Sequence, residues 1–476
     1  MDGQILEDHS EIIETLERIV GSTGLITSTE DLQPYLIDQK KAYEGQAIAV
    51  VRPSSTEEVS KVVKLCAENQ IPIVPQGGNT GLCGGATPDS SGRTIVLNLS
   101  RMNKIRDIDP LNYTITVDAG VILAEIQNAA DESDRLFPLS LGAEGSCQIG
   151  GNLSTNAGGT GVLRYGTTRE LVLGLEFVLP DGRIWDGMTA LRKDNTGYDL
   201  KNLFMGAEGT LGIITGAVLK LFPKPKDVQT AFIAIRDSEA AIDLLARARQ
   251  MSDDRLTAFE WMARQGLEFV FKNIPDTREP LQENYREYIL IELTSGHSDS
   301  GLRETLETIL SDAIEDGLVL DAVLAESRGQ AQDFWRLRET IPEGQMIEGA
   351  TIKHDISVPV SSVPKFLRNA EAAINQLVPE IRICAFGHLG DGNIHYNLTT
   401  PKAVSPKTFF DRVEDINRTI HDEAVGLGGS ISAEHGIGMS KRLELMHYKS
   451  ANALDIMRGI KQALDPKSIM NPGKVL

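Results

Sequence analysis

Residues 142–166 read GAEGSCQIGGNLSTNAGGTGVLRYG. Glycine costs backbone entropy, so it is placed where the chain must turn oddly or come close to something. A run of about 25 residues this rich in Gly, Asn, Ser and Thr is too long for a plain loop in a compact domain. It is expected to line something polar and extended, such as a dinucleotide. A second cluster, GGNTGLCGG at 77–85, follows directly on the apolar IPIVP of 71–75. Backbone N–H groups after a strand can cradle a phosphate, although ordinary tight turns would have the same composition. The chain has neither GxGxxG nor GxxxxGK[ST], which argues against a Rossmann site and a P-loop hydrolase.

Outward from these clusters, IAVVRP (48–53) reads as a strand, and Ser55 with Glu58 as a capping box for the helix after it. Strands follow at 94–99, 114–120 and 170–180, with a helix near 121–130 and a hairpin turn at Asp181-Gly182. Pro223-Lys224-Pro225-Lys226 reads as a linker. Beyond it, strands at 228–236, 255–262 and 286–295 alternate with helices near 238–252 and 299–316, a second sheet covered by helices. Long amphipathic helices are expected at about 405–425 and 451–464. The expected architecture is α+β: a first domain ending near residue 226 and a second sheet covered by helices beyond it.

With 476 residues the chain has room for two or three domains. Lys plus Arg number 47 against 67 Asp plus Glu, a formal charge of −20. So negative a chain is not expected to bind nucleic acid or an anionic membrane. Any anionic substrate needs local cations. The four cysteines, at 66, 83, 147 and 384, lack the spacing of a metal knuckle, and a reducing compartment suits them. The N-terminus, MDGQILEDHSEIIETLERIV, is acidic and helix-like and lacks the pattern of a signal peptide. These features together give a cytoplasmic expectation.

Two short motifs concentrate the histidines: FGHLGDGNIHYN at 386–397 and SAEHGIG at 432–438. A turn between His388 and His395 lets both imidazoles face one point. Glu434 adds a carboxylate, and two His with one carboxylate suit Zn²⁺, Fe²⁺ or Mn²⁺. His435 reads either as a general base or as a hydrogen bonder behind the ligands. Neighbouring side chains on an extended segment point oppositely, so Glu434 and His435 are not both expected to face one metal. Asn397, two residues after His395, would share its strand face and reach the same site, as a substrate-binding residue. Arg338 and Lys353 are candidate cations for a substrate carboxylate, or else surface residues.

PQGGNTGLCGG, GAEGSCQIGGNLSTNAGGTGVLRYG and GAEGTLGIIT together resemble the vanillyl-alcohol-oxidase-type flavoproteins. Within them the chain resembles the FAD-dependent D-2-hydroxyacid dehydrogenases, from about residue 40 to the final NPGKVL. The resemblance implies an FAD domain over 1–226, a substrate or cap domain over 227–425, and a C-terminal segment, 426–476, whose helices pack back on the FAD domain. It places the FAD pyrophosphate on Pro75, Gly77, Gly78, Asn79, Thr80 and Gly81. It lines the flavin with Gly142, Ser146, Cys147, Gly150, Gly151, Asn152, Thr155, Asn156 and Gly158. Glu208, Gly209 and Ile213 would sit near the adenine or ribitol, and Asn471 near the ring. It makes His388, His395 and Glu434 the ligands of a divalent metal, with Zn²⁺ favoured, and His435 the base. Arg338 and Lys353 match its substrate-carboxylate positions. Where members acting on 2-hydroxyglutarate can carry a hydroxyl residue, this chain has Pro342.

The implied reaction is oxidation of a D-2-hydroxy acid, D-2-hydroxyglutarate or D-lactate foremost, to the 2-keto acid. An electron-transfer flavoprotein or a quinone would be the acceptor, and a homodimer is compatible. The glycine loop at 77–85 has no histidine, so FAD is expected to be non-covalent. Cys83 and Cys147 could attach a flavin but read as small buried residues. A flavin oxidase of another alcohol and a non-catalytic flavin- or metal-binding module are the alternatives.

Overall fold

A computed structural model describes residues 9–476. The first eight residues, part of the acidic N-terminal stretch, lie outside the described residues; a helix does run over Ser10–Val20. A small sheet pairs Ala49–Val51 and Ile73–Gln76 in parallel with the central strand Ile95–Asn98. Its strands are buried on both faces, which is why they read as continuous apolar runs. A five-stranded antiparallel sheet is ordered Ile105–Asp109, Thr114–Asp118, Ile213–Lys220, Val172–Val178, Ile184–Gly187. One apolar core joins these two sheets and includes Val62, Ile95, Val117, Leu175 and Met470.

The capping box is half formed. Ser55 Oγ accepts from the Glu58 amide, but the Glu58 carboxylate accepts from Ser54 instead of returning to Ser55. The 142–166 segment is not one irregular run. A short helix over Ile149–Thr155 sits inside it, and Gly150 packs against Ala119, where a Cβ would lie 2.8 Å from the alanine Cβ.

An eight-stranded antiparallel sheet begins with Asp227–Ile235. Its middle is the run Glu287–Ser295, Leu256–Ala263, Arg382–His388, Asn393–Thr399. Side chains alternate across a strand, so it feeds two separate cores. Phe259, Trp261, Ile289 and Ile291 face helices Ser238–Met251, Leu302–Glu315, Val363–Leu377 and Val413–Gly426. Met262, Leu290, Cys384 and Phe386 face Arg264–Asn273, Arg328–Glu339 and Ile341–Ile347. The single helix expected at 405–425 is two, Pro406–Phe410 and Val413–Gly426, broken where Asp411 and Arg412 turn.

The last helix, Ala451–Leu464, returns to the first core. Ile73 donates to Ile469 O and accepts from Asn471 N, a parallel bridge that adds the C-terminus to the small sheet. Lys461 Nζ fastens the helix to Thr210 O at 2.7 Å. No helix of the described residues is long and apolar enough to cross a membrane.

Candidate active site

The glycine segments meet in one cleft. Pro75, Gly77, Gly78, Asn79, Thr80 and Gly81 form one wall. Cys147, Gly150, Gly151, Asn152 and Thr155 line the cleft as well, with Glu208, Gly209, Ile213 and His435. A Cβ on Gly81 or Gly151 would meet nothing within 4 Å, so backbone there is open to a ligand. Gly78 is the reverse case. A Cβ there would stand 2.1 Å from Ser146 O, so only glycine lets the two segments close on each other.

Five expected residues do not line this cleft. Gly142 stands open nearby and Ser146 backs Gly78. Asn156 caps the short helix in the left-handed region and accepts from the Arg169 amide. Gly158 packs on Glu434, 2.6 Å from its Oε1 were a Cβ present. Asn471 donates to Gly85 O and Glu208 O. Its Oδ1 is buried without a partner, as are Gln148 Oε1 and Asn152 Oδ1, both residues of the cleft wall. Orphaned buried acceptors are rare, and they suit a flavin, whose ring edge and ribityl chain donate hydrogen bonds. The Glu208 carboxylate is engaged within the protein. It accepts from the amides of Ile437 and Gly438, each at 2.7 Å. The neutralised free thiols of the wall are set by burial, which pushes Cys83 and Cys147 up from the ordinary thiol range.

The histidine motifs meet beside this cleft. Strands Arg382–His388 and Asn393–Thr399 form a hairpin with His388 opposite Asn393 and His395 opposite Phe386. His388 Nε2 lies 3.8 Å from Glu434 Oε1, and His395 Nε2 lies 3.9 Å from Glu434 Oε2. These two contacts run to different oxygens of Glu434, and the two imidazole centroids stand 5.5 Å apart. The tighter group is Asp355, His395, Glu434 and His435, whose ligand atoms lie within 4.8 Å of one another; His388 stands just outside it, across Glu434. Asp355 is already committed. It is fully buried and accepts from the amides of Glu434 and His435 and from Asn393 Nδ2. That bracing corrects one expectation. Residues 432–436 run through bends rather than a strand, so Glu434 and His435 face the same site.

The electrostatics differ from group to group. His388 Nδ1 lies 2.7 Å from Glu260 Oε1. Burial opposes its charged form, but Glu260 overrides this and raises His388 to about 9. Burial raises Glu434 to about 7, against the pull of His388. His395 is held well below the ordinary histidine value by burial. Burial likewise lowers His435 to about 4, although Asp355 Oδ2 stands 3.6 Å from its Nδ1. His435 is therefore neutral near pH 7.

Arg338 is buried, with 6% exposure, and commits two nitrogens to Glu260 Oε2 at 2.9 and 2.7 Å. Asn397 shares the face of His395, as its spacing predicts, and donates to Gln345 Oε1. Lys353 is half-buried, and its ammonium has no hydrogen bond or ion pair among the described residues. Burial, then Lys40 nearby, lowers its pKa. Sequence reasoning missed Glu260 and Asp355. Glu260 is a lone acid in an apolar strand, and Asp355 sits two residues from Lys353 with no motif around it.

A glycine-walled cleft with unsatisfied acceptors, opening onto a histidine–carboxylate cluster, defines an FAD-dependent oxidoreductase. Residues 47–187 match the FAD binding domain family, and 224–475 match the C-terminal domain of FAD linked oxidases. The chain is 38% identical over 468 residues to the mitochondrial D-2-hydroxyglutarate dehydrogenase of Arabidopsis thaliana, covering 98% of this chain and 82% of that one. It is 36% identical to the D-2-hydroxyglutarate dehydrogenase of Xanthomonas citri, covering 97% and 96%. It is also 36% identical to a D-2-hydroxyglutarate–pyruvate transhydrogenase of Saccharomyces cerevisiae, covering 98% and 94%. The chain belongs to the FAD-dependent D-2-hydroxyacid dehydrogenases of the FAD linked oxidase family. Its fold is also that of p-cresol methylhydroxylase, with a TM-score of 0.75 at 17% identity, covering 99% of this chain and 98% of that one.

The cytoplasmic expectation is overturned. Relatives from Arabidopsis thaliana, Danio rerio and Bos taurus are named as mitochondrial. Cysteine usage and acidity report a reducing compartment and solubility; they do not separate one reducing compartment from another.

Proposed function

We propose that this enzyme oxidises D-2-hydroxyglutarate to the 2-keto acid, with non-covalent FAD and a divalent cation, Zn²⁺ foremost. The observation that carries it is the placement of His435, which both lines the flavin cleft and belongs to the histidine–carboxylate cluster. The names of the relatives support the substrate. In this reading 1–226 hold the flavin, 227–425 cap it, and 426–476 return the C-terminus to the flavin domain.

FAD, when bound, supplies a hydride acceptor that no side chain of the protein can replace. A divalent cation would be held by His388, His395 and Glu434 and would supply Lewis acidity toward the substrate hydroxyl. The chain does the rest. His435 is kept neutral by burial and takes the hydroxyl proton on Nε2, since Nδ1 faces Asp355. Asp355 fixes this base and Glu434 through their backbone amides. Lys353, unpaired among the described residues, and Arg338, held by Glu260, are the cations for a substrate carboxylate. The electron acceptor is read as an electron-transfer flavoprotein or a quinone.

The test is anaerobic mixing of the yellow protein with D-2-hydroxyglutarate, L-2-hydroxyglutarate, D-lactate and D-malate. Rapid bleaching by D-2-hydroxyglutarate above the others is expected. No bleaching by any D-2-hydroxy acid would overturn the reading and favour a non-catalytic flavin module.

A further inference from the structure

Glu260 stands outside every motif, yet it is as enclosed as Asp355, each with 1% exposure. It lies on Leu256–Ala263, and its Cα is the cross-strand partner of His388. Both backbones are thus fixed by the sheet before any side chain is placed. One oxygen, Oε1, lies 2.7 Å from His388 Nδ1. The other, Oε2, accepts from Arg338 Nε at 2.9 Å and stands 2.7 Å from Nη2. A carboxylate offers acceptors only, so each oxygen requires a donor opposite it.

We propose that Glu260 is the positioning residue of the metal site, engaging Nδ1 of His388 so that Nε2 is the nitrogen turned toward Glu434 and left for a cation, and tying that ring to Arg338. The inference rests on the reading of His388, His395 and Glu434 as metal ligands. An imidazole has two nitrogens, and only the unprotonated one can bind a cation. The group that accepts the hydrogen bond at Nδ1 therefore selects Nε2 for the metal. A carboxylate behind a ligating histidine also makes the ring more basic. The same carboxylate fixes the guanidinium fork of Arg338, which lies over the Phe386 ring at 4.7 Å. Glu260 thereby holds in one rigid unit a group for the cation and a group for the substrate carboxylate.

Glu260→Gln is the discriminating change. Glutamine keeps the shape but has one acceptor oxygen where two donors converge. Arg338 cannot give up its protons, so the glutamine oxygen stays with Arg338 and its NH₂ turns to His388. Nδ1 must then accept, the proton moves to Nε2, and the lone pair leaves the site. Loss of such a partner typically weakens metal affinity by about 10–100-fold.

The experiment measures Zn²⁺ affinity of FAD-loaded protein by competition with a chelator, for wild type, His388→Ala, Glu260→Gln, Glu260→Asp and Met262→Ala. Met262→Ala opens a cavity on the same strand without touching His388 and serves as the control for structural damage. Glu260→Gln is expected to lose about 10–100-fold in Zn²⁺ affinity. Glu260→Asp should lose less, being ionised but a methylene short, and Met262→Ala should match wild type. If Glu260→Gln does not retain FAD, Glu260→Asp carries the test, with an affinity between wild type and His388→Ala expected. Wild-type affinity in the Glu260 variants, with His388→Ala defective, would overturn the inference and leave the metal site standing. Equal losses in Glu260→Gln and Met262→Ala would also overturn it. A wild type that binds no Zn²⁺, or a His388→Ala variant that binds it normally, would overturn the metal site itself.

Discussion

The Glu208 carboxylate accepts from the backbone amides of Ile437 and Gly438, each at 2.7 Å, and so fastens the segment carrying Glu434 and His435 to the wall of the flavin cleft. These partners are more than two hundred residues apart in sequence. Burial raises the Glu208 pKa against the lowering by those two amides. A buried carboxylate on two amides is a strong clamp, because each such bond is worth about 1.5–3 kcal/mol. Gly436, at φ +75°, and Gly438, at φ +51°, give the segment the turns it needs to reach it.

Glu208→Gln turns one of the two amides from a satisfied donor to a donor facing NH₂. The account expects retained FAD but slower flavin reduction, since the base is no longer held at the cleft. A loss of about 1.5–3 kcal/mol corresponds to roughly 10- to 150-fold. Rapid-mixing flavin reduction alongside FAD content measures both. Unchanged reduction with unchanged FAD would show that the clamp does not position His435.

Gly78 admits no side chain, because a Cβ would stand 2.1 Å from Ser146 O. Gly78→Ala must push apart the two glycine segments that form the cleft. The purified variant is expected to be colourless, with wild-type secondary structure by circular dichroism. A yellow variant with full FAD content would contradict this assignment of the cleft.

Heat or acid precipitation of the wild type is expected to release all the flavin to the supernatant. The 77–85 loop has no histidine, and burial raises both wall thiols, Cys83 and Cys147, away from the reactive thiolate. Colour remaining with the pellet would mean a covalent bond to one of them.

His435 and Lys353 should fail differently. A general base acts in the transition state, so His435→Ala should slow flavin reduction by about 10²–10⁴-fold with little change in substrate affinity. On the proposed reading Lys353 meets a carboxylate that is charged throughout, so Lys353→Ala should mainly weaken binding, by roughly 10- to 150-fold. Saturation curves of the reduction rate separate the two. Wild-type reduction by His435→Ala at saturating substrate would place the base elsewhere.

The fold was legible where chemistry leaves local marks. Glycine segments, alternating strands and the hairpin between His388 and His395 are written in contiguous residues. Ser238–Met251 and Ala451–Leu464 fall within a residue or two of their expected bounds because their apolar faces repeat at helical spacing. What the sequence hid is long-range. Glu260 meets His388 only through strand pairing, and Asp355 meets Glu434 only when a distant bend turns its amides inward. An extended segment would put Glu434 and His435 on opposite sides, but the chain bends here and turns both to one side. Its glycines at 436 and 438 were the available signal. Arg338 was legible as a cation, but its partner Glu260 was not.

The central claim is that the flavin cleft and the histidine–carboxylate cluster act as one site on a D-2-hydroxy acid. The most direct measurement is flavin reduction by D-2-hydroxyglutarate under anaerobic conditions, in chelator-treated protein and again after Zn²⁺ is restored. The account predicts FAD retained throughout, reduction nearly abolished without metal, and reduction recovered with it. Full-rate reduction in protein shown to be metal-free by elemental analysis would contradict it.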